Sequence, residues 1–367
     1  MYKQITSLGD AGQTVWNQKA DALGGELALL GYQIAEQLYA GSRTLVYRAI
    51  RESDRKQVIL KLLRNEMPTW SELVQFRNQY AIMRGITETN SSNLNLLGII
   101  QPYSLEPFGN GWVLVMEDFG GISLSQFTQG NPLEIAAFLP LAIQIADILH
   151  HLYQHGVIHK DIKPANILIH PETKKVKLID FSISSLLPRE TQEIQNLNVL
   201  EGTLAYLSPE QTGRMNRGID YRSDFYSLGV TFYQLLVGKL PFQSDDPMQL
   251  IHSHLAGRAI PVDKANPELP LVLSQIVAKL MAKNAEDRYQ SAMGLKRDLE
   301  ICLQQWNQTG TIAHFAIAQQ DRCDRFIIPE KLYGRETEVA ALLAAFDRVA
   351  KPPPPPPTKG GGGGGVA

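Results

Sequence analysis

The spacing of apolar residues changes along the chain, from short β-rich runs in the first third to helical periods afterwards. Residues 45–50 and 57–63 are two such runs separated by a charged turn, and residues 111–118 form another. Runs of this length and composition predict β-strands. Between them, residues 69–86 place apolar side chains at helical spacing behind a suitable N-cap, Thr69, which predicts a helix.

Helical spacing dominates after residue 118. The predicted helices cover residues 135–155, 223–237, 247–256, 271–282 and 292–306. Strands followed by helices predict an α+β fold with a strand-rich N-terminal lobe and a helix-rich C-terminal lobe. Residues 1–31 show no clear period and are predicted to be an N-terminal arm.

Composition and charge are those of an ordinary soluble globular protein. The chain has 367 residues, of which 44% are hydrophobic and 20% are charged, and its formal net charge is −2. This balance does not indicate nucleic acid or an anionic membrane as a partner. Cys302 and Cys323 form no metal or redox motif, which argues against a disulfide scaffold and fits a reducing compartment.

Two segments bear on membrane targeting. Residues 1–25 have polar and acidic residues where a signal peptide needs a continuous apolar stretch. Residues 135–153 are the most apolar segment, but they contain Pro140, Gln144 and Asp147 and are predicted to be a buried helix. The sequence therefore predicts a cytoplasmic protein without a membrane partner.

One loop motif carries the candidate chemistry. Residues 159–166 read His-Lys-Asp-Ile-Lys-Pro-Ala-Asn, and Asp180 follows fourteen positions later, directly before a phenylalanine. This spacing can place a base (Asp161), a phosphate contact (Lys163) and a metal ligand (Asn166) in one loop. Asp180 would be the second ligand of Mg²⁺. The string resembles the catalytic loop and metal motif of a protein kinase, and this resemblance implies ATP and Mg²⁺ as cofactors.

Over residues 32–303 the chain resembles a Ser/Thr protein kinase domain. The resemblance implies an N-terminal lobe over residues 32–118, a C-terminal lobe over residues 119–303 and a linker over residues 304–325. It also implies a protein substrate with a Ser or Thr acceptor, because Lys163 in the sequence Asp-Ile-Lys-Pro matches kinases of that class.

Further motifs in the second half support the resemblance. Ser-Pro-Glu at residues 208–210 resembles the sequence that closes the activation segment of kinases, and residues 202–203 match the substrate-side loop before it. Asp224 resembles the aspartate that braces the catalytic loop. Glu210 and Arg288 match the buried ion pair that ties the activation segment to the C-terminal lobe.

The resemblance places the nucleotide between the lobes. Lys61, which ends an apolar strand, matches the lysine that holds the α- and β-phosphates. Met116 would form the back wall of the adenine pocket, and the hinge backbone from there through Glu117 to Phe119 would receive adenine. Val46 ends the loop that covers the phosphates.

Two departures from the kinase pattern affect the nucleotide side. Residues 39–46 keep only Gly41 of the three usual glycines, so backbone approach to the phosphates is predicted to be looser. Gln79 stands where kinases have an acidic helix residue that pairs with the lysine. The hydrogen bond from Lys61 to a neutral amide lacks the attraction between two charges and has roughly half the strength. Glu72, seven residues earlier, lies about 10 Å away along the helix and is a poor substitute.

Two further departures affect the catalytic loop and its neighbours. Lys160 replaces the usual arginine and lacks the bidentate fork that grips an activation-loop phosphate. Ser182 replaces the glycine after Asp-Phe, which narrows the freedom of the backbone to swing Asp180 away. His159 is predicted to pack against Phe181 and not to act as a base.

Together the departures resemble the kinase domain at the N-terminus of very large bacterial multi-sensor signalling proteins. In those proteins an ATPase-like module, sensor domains and often a histidine kinase follow. Residues 326–350 resemble the start of that module, but no phosphate-binding G-x-x-x-x-G-K-[ST] loop comes next. Residues 351–367 are a Pro- and Gly-rich tail, interpreted as a linker or as the end of a truncated or frame-shifted reading, with an SH3-like ligand as the less favoured alternative.

Three functions are compatible with these motifs. The favoured one is an ATP-dependent Ser/Thr protein kinase in signal transduction. A nucleotide-binding pseudokinase that acts as a docking module is the rival, supported by Gln79 and the sparse glycines. A phosphotransferase for small molecules is disfavoured, because residues 208–210 and the loop before them form a peptide-binding shelf in kinases.

Overall fold

The computed structural model describes residues 31–89, 98–186, 204–215 and 217–322. The predicted N-terminal arm, apart from its last residue, lies outside the described residues. So do the predicted substrate-side loop at residues 202–203, the start of the ATPase-like module and the Pro- and Gly-rich tail.

The N-terminal lobe is built on an antiparallel sheet. Its five described strands are β1 (Tyr32–Ala40), β2 (Thr44–Arg51), β3 (Lys56–Leu63), β4 (Pro102–Phe108) and β5 (Gly111–Glu117). Their order across the sheet is β1-β2-β3-β5-β4, and all neighbours run antiparallel. The three inner strands are the apolar runs of the sequence, and their buried side chains form most of the core of this lobe.

The two edge strands, β1 and β4, are the strands that the sequence prediction lacks. Along β1, Tyr32 is buried but most other residues are exposed, and two register shifts interrupt its pairing with β2. β4 begins at Pro102 and contains Pro107. Because an edge strand needs fewer apolar side chains and tolerates proline, the alternation that signals a strand is weak in both.

A single long helix, α1 (Trp70–Thr89), packs against β4 and β5 in the described part of this lobe. Thr69 is its N-cap, as predicted: its hydroxyl accepts from the backbone N–H of Glu72 at 3.3 Å. In return the Glu72 carboxylate accepts from the backbone N–H of Thr69 at 2.8 Å. This reciprocal capping holds Glu72 at the start of the helix.

The C-terminal lobe is mainly helical. Its described α-helices are α2 (Leu124–Thr128), α3 (Ile135–Gln154), α4 (Arg222–Val237), α5 (Pro247–Ala256), α6 (Val262–Ala265), α7 (Leu271–Leu280) and α8 (Ala292–Thr309). Its short strands are β6 (Ile122–Ser123), β7 (Val157–Ile158), β8 (Ile167–Ile169), β9 (Val176–Leu178) and β10 (Ser185–Leu186). They form a sheet in the order β6-β8-β9 and a separate β7–β10 pair. The predicted two-lobed α+β fold is confirmed.

α3 is the core helix of this lobe. Among the described residues it is the one helix long and apolar enough to cross a membrane by length and composition. However, eleven of its residues are buried, and it packs against α8 and α4. Residues 135–153 therefore form a buried helix of the lobe, as the polar residues and the proline within them predicted.

The folded part of the chain continues beyond residue 303. α8 extends to Thr309, so the predicted domain boundary falls inside this helix. Further on, Asp321 accepts hydrogen bonds from the backbone N–H groups of Gln290 at 2.7 Å and Ser291 at 2.8 Å. The backbone N–H of Ala318 donates to Asp298 at 2.7 Å. Residues 310–322, predicted as linker, therefore fold back along α8.

Candidate active site

The predicted catalytic loop, residues 159–166, follows β7 and is held by a side chain of α4. The buried Asp224 carboxylate accepts from the backbone N–H groups of His159 at 2.8 Å and Lys160 at 2.6 Å. Burial raises the pKa of Asp224, although the neighbouring His159 and the two N–H donors oppose this. The His159 ring packs edge-on against Phe181, with 4.9 Å between the ring centroids. Its Nε2 lies 3.0 Å from the Ile179 carbonyl, so the ring has a packing role, as predicted.

Asp161, the predicted base, is held by its own loop. One carboxylate oxygen, Oδ2, lies 2.8 Å from the Lys163 ammonium and accepts from the Asn166 amide at 2.8 Å. The other oxygen, Oδ1, is buried and has no hydrogen-bond partner among the described residues. A buried acceptor without a partner is costly, and an incoming hydroxyl group could satisfy it. Asp161 Oδ1 is therefore available to accept a proton from the hydroxyl group of an acceptor.

Lys61, two residues before the end of the inner strand β3, reaches Asp180. Its ammonium lies 2.8 Å from Asp180 Oδ1 and donates to Gln79 Oε1 at 3.1 Å. Burial alone would raise the pKa of Asp180, but the charge and hydrogen bond of Lys61 outweigh it and hold the pKa well below its ordinary value of 3.8. The carboxylate is therefore ionised, as a metal ligand must be.

Gln79 accepts a hydrogen bond from Lys61 through its amide oxygen, as the sequence predicted for this position. Gln79 is buried on α1. Glu72 is engaged with Thr69 at the helix start and does not replace it. Lys61 consequently has its charged partner in Asp180, across the cleft, and a neutral partner on the helix.

The loop over the phosphate side is compact around its remaining glycine. The Gly41 N–H donates to the Thr44 carbonyl at 2.9 Å, and the Arg64 guanidinium donates to the Gly41 carbonyl at 2.8 Å. The Tyr39 ring folds over the loop, so a Cβ on Gly41 would collide with it. The missing side chain of Gly41 therefore leaves room for the Tyr39 ring. Beneath the loop, a pocket is lined by residues from both lobes, including Lys61, Asp161 and Asp180.

The predicted adenine side lies along β2, β5 and the hinge. Val46 is opposite Lys61 in the β2–β3 pairing, which places the two side chains on one face of the sheet. Met116 is buried near the end of β5. Glu117 forms an ion pair with Lys177, and the Lys177 ammonium also lies over the Phe119 ring, 5.1 Å from its centroid. Sequence reasoning missed Lys177, which is a lone lysine within a short strand.

The residues predicted to hold Mg²⁺ have oxygen atoms to spare. Asn166 uses its amide nitrogen on Asp161, and its Oδ1 accepts no hydrogen bond from the described residues. Asp180 Oδ1 accepts from Lys61 at 2.8 Å and from the Ser182 N–H at 3.3 Å, and its Oδ2 accepts none from the described residues. Two hard oxygens from protein fit a metal that usually keeps several waters and phosphate oxygens as its other ligands. No cluster of three or more His, Cys, Asp or Glu ligands occurs in the described part of the chain.

The end of the activation segment is anchored to the C-terminal lobe by a buried ion pair. The Glu210 carboxylate and the Arg288 guanidinium form two hydrogen bonds of 2.6 and 2.9 Å, and the Arg288 side chain is fully buried. Ser223 also donates to Glu210 at 2.6 Å. Burial raises the pKa of Glu210, but Arg288 reverses this and the pKa lies below its ordinary value. The predicted pairing is confirmed.

The comparisons with known proteins agree with this geometry. A family model described as "Protein kinase domain" matches residues 32–299. The chain is 33% identical to the hybrid signal transduction histidine kinase G of Dictyostelium discoideum, over 60% of this chain and 9% of that protein. It is 30% identical to a probable serine/threonine-protein kinase of Clostridium acetobutylicum, over 71% of this chain and 38% of that protein.

A third relative is the serine/threonine-protein kinase PknB of Mycobacterium tuberculosis, which is 31% identical over 73% of this chain and 42% of its own length. The chain thus spans less than half the length of each of these three relatives. Because the family model covers most of the sequence and coincides with the two described lobes, the chain belongs to the protein kinase family.

Proposed function

We propose that this chain is an ATP-dependent serine/threonine protein kinase that transfers the γ-phosphate to a protein hydroxyl. The observation that carries the proposal is the state of Asp161. Two groups hold one of its oxygens, while its other oxygen is buried without a partner among the described residues. Its loop adjoins the Lys61–Asp180 pair in one pocket. The bacterial relatives named above as serine/threonine-protein kinases support the same reaction.

In the proposed reaction Asp161 accepts the proton of the Ser or Thr hydroxyl through Oδ1. The hydroxyl oxygen forms a bond to the γ-phosphorus, and the bond from that phosphorus to the bridging oxygen breaks, so that ADP leaves. Lys163, 2.8 Å from Asp161, would neutralise charge on the transferred phosphate. Positioning and charge neutralisation are the main requirements of phosphoryl transfer.

Nucleotide and metal binding would use the remaining site residues. Lys61 would hold the α- and β-phosphates, and the loop with Gly41 and Val46 would cover them. The hinge backbone from Met116 to Phe119, including Glu117, would receive adenine. Gln79 would orient Lys61.

Asn166 and Asp180 would hold Mg²⁺ with their uncommitted oxygens. When bound, the metal bridges phosphate oxygens and neutralises the charge that develops there.

The pseudokinase alternative has weaker support from the contacts. Its basis in the sequence was the neutral Gln79 and the loss of two glycines. Lys61 nevertheless has a charged partner in Asp180 at 2.8 Å, and Asp161 keeps both Lys163 and Asn166. The relatives named above are described as kinases, and none is described as a pseudokinase.

The test is transfer of labelled γ-phosphate from ATP to a generic basic protein, with Asp161→Asn as the matched variant. A general base contributes about 10²- to 10⁴-fold, so the variant is expected to lose at least about a hundredfold in rate. Its melting temperature and its thermal shift with ATP and Mg²⁺ should stay close to those of the wild-type chain. Equal transfer by both proteins would refute the proposal, and a thermal shift without any transfer would favour the pseudokinase.

We further infer that the chain is one part of a longer cytoplasmic signalling protein. The support is the share of the relatives that it covers, 9% in the hybrid histidine kinase. Sensor or histidine-kinase modules would be its covalent partners in such a protein. Sequencing downstream of the codon for Ala367 tests this, because a continuing reading frame is expected and an immediate stop in native genomic DNA would contradict it.

A further inference from the structure

The backbone of residues 159–161, around the base, makes hydrogen bonds at every polar group. The N–H groups of His159 and Lys160 donate to Asp224, at 2.8 and 2.6 Å. The N–H of Asp161 donates to the His159 ring at 3.2 Å. Buried backbone groups need partners, but here all three partners are side chains and none is a regular strand or helix. The conformation of this stretch therefore depends on individual side chains.

The three carbonyl oxygens of the same residues accept from three different parts of the chain. In chain order, the donors are the Ser184 hydroxyl at 3.0 Å, the Gln211 amide at 2.8 Å and the Asn166 amide at 2.9 Å. Asn166 belongs to the catalytic loop, and Ser184 lies just after Asp180. Gln211 is different, because it lies just beyond the Ser-Pro-Glu sequence that closes the activation segment.

The residue that Gln211 contacts is the one with the least favourable backbone conformation in this loop. Lys160 has a φ of +69°, a left-handed conformation that a side chain with a Cβ rarely adopts. Such a conformation persists only where surrounding contacts hold it. Asp224 holds the N–H of Lys160 and Gln211 holds its carbonyl group, and the next residue in the chain is the base.

Gln211 itself is fixed at both ends of its amide. Its Oε1 accepts from the Ser208 N–H at 3.0 Å and from the Ser208 hydroxyl at 2.8 Å, which is a capping box at the short helix Pro209–Thr212. Its Nε2 donates to Lys160. Glu210, the preceding residue, is buried in the ion pair with Arg288. The donor aimed at the catalytic loop is therefore mounted on an anchored helix.

We propose that Gln211 is a positioning residue for phosphoryl transfer. Its amide links the end of the activation segment to the carbonyl group of Lys160, and this link keeps Asp161 in the orientation that accepts the hydroxyl proton. A displacement of the end of the activation segment would therefore change the position of Asp161 through the hydrogen bond between Gln211 and the Lys160 carbonyl group. The inference rests on the proposed kinase activity and adds a residue that does not touch nucleotide or acceptor.

Two substitutions separate this role from a merely structural one. Gln211→Glu keeps acceptor oxygens for Ser208, and glutamate is itself a preferred residue in a capping box, but its carboxylate cannot donate to Lys160. Gln211→Met removes both functions. If the capping box were what matters, the glutamate variant would be active and the methionine variant impaired. If the donor matters, both variants lose activity.

The chain offers a matched control in a second capping box. In α2, Gln126 accepts from the backbone N–H and the hydroxyl of Ser123, both at 3.2 Å, as Gln211 does from Ser208. Its hydrogen bonds among the described residues stay within that box. Gln126→Glu therefore makes the same chemical change at the same local motif without touching the catalytic loop.

The experiment measures kcat, the KM for ATP and the KM for a basic protein substrate, together with the melting temperature, on the full chain. Gln211→Glu is expected to lower kcat by about tenfold or more, since a small displacement of a reacting group costs up to about a hundredfold. Both KM values and the melting temperature should stay near wild type, and Gln126→Glu should keep the wild-type kcat.

A wild-type kcat in Gln211→Glu would overturn the inference, as would a fall in kcat that Gln126→Glu shares. If the glutamate variant does not fold, Gln211→Met is compared with Ser208→Ala, which removes the hydroxyl of the capping box but keeps the Gln211 amide donor. A kcat lowered only in Gln211→Met supports the link, whereas a wild-type kcat in Gln211→Met, or an equal fall in both variants, overturns it. A wild-type chain that transfers no phosphate would instead contradict the proposed function, so the two failures can be told apart.

Discussion

The two sides of the site differ in how the chain holds them. On the C-terminal side, buried charged groups fix the catalytic loop and the end of the activation segment: Asp224 is fully buried with two N–H donors, and Glu210 pairs with a fully buried Arg288. On the N-terminal side, Lys61 has one neutral partner on α1, Gln79, and its charged partner Asp180 belongs to the other lobe. Half of the residues in the loop at 39–46 are exposed. The charged groups of the C-terminal side have their partners within their own lobe, whereas Lys61 has no charged partner among the described residues of the N-terminal lobe.

This difference corresponds to what each side has to do. The base must stay in one place, because in-line transfer tolerates little displacement. The nucleotide side must open and close around ATP, and elements that move are drawn from the less stable parts of a structure. The loss of two glycines and of the helix acid thus falls on the side that can adapt, while residues 159–166 keep every residue to which the proposed reaction gives a chemical role.

The largest effect is expected from breaking the buried ion pair on the fixed side. Arg288→Met leaves the Glu210 carboxylate buried without its charged partner, which should lower the free energy of unfolding by about 3–5 kcal/mol. Denaturant unfolding of the full chain measures it. A loss below about 1 kcal/mol would mean that the C-terminal side does not depend on buried charge.

A surface ion pair provides the control for that substitution. Arg84 and Glu88 pair on α1 at 2.6 Å, but both side chains are more than half exposed. Solvent screening removes most of the benefit of such a pair. Arg84→Met should therefore leave the unfolding midpoint almost unchanged, and a loss as large as that of Arg288→Met would show that charge removal alone, and not burial, is responsible.

The contrast between the two sides also marks what the sequence could predict. Residues of the catalytic loop lie within eight positions, so local spacing was enough to find them. Glu210 and Arg288 lie 78 positions apart, and the family resemblance paired them correctly. The long helices were predicted to within three residues at each end, because their apolar periods are strong.

What escaped prediction depends on long-range geometry or on weak patterns. The contact from Gln211 to Lys160 spans 51 positions, and the sequence signal at Gln211, a Ser-x-x-Gln capping box, does not say which carbonyl group the amide reaches. Lys160 and Asp180 have left-handed backbone conformations. Such a conformation is usually signalled in a sequence by glycine, and neither of these residue types indicates it. The edge strands β1 and β4 lack clear alternation.

A pH-dependent effect is expected in the C-terminal lobe at His254. This histidine is fully buried on α5, with its Nδ1 3.0 Å from the Tyr226 hydroxyl. Burial, and then the charge of Lys283, lower its pKa from 6.5 to about 4. Between these pH values the unfolded chain binds a proton that the folded chain does not, so stability is complete above pH 6.5 and falls as the pH decreases.

The free energy of unfolding changes with pH by at most about 1.4 kcal/mol per pH unit, because one proton is involved. Unfolding free energies of wild type and His254→Gln, measured from about pH 7 to about pH 5, test it above the range in which most carboxylates titrate. The variant should lose part of the slope. His252→Gln, an exposed histidine on the same helix, should keep the wild-type slope. Parallel slopes in all three proteins would contradict the role of buried His254.

The smallest effect is expected on the adaptable side, from restoring the missing acid. Gln79→Glu gives Lys61 a charged partner on α1, and a charge-assisted bond is roughly twice as strong as a neutral one. The stronger helix contact should draw the ammonium away from Asp180 Oδ1, which then keeps only the long 3.3 Å hydrogen bond from the Ser182 N–H, so that Asp180 is more available to Mg²⁺. We expect kcat/KM for ATP to rise by about two- to fivefold, in line with a gain of about 0.5–1 kcal/mol.

Gln75→Glu separates this effect from a general change of charge in the pocket. Gln75 lies one turn before Gln79 on α1 and also lines the pocket, but its side chain makes no hydrogen bond to Lys61. A negative charge there should repel the triphosphate, so kcat/KM should stay equal or fall. An increase in Gln79→Glu alone would show that the nucleotide side works below its possible strength. No increase would mean that Asp180 already gives Lys61 all the support it needs.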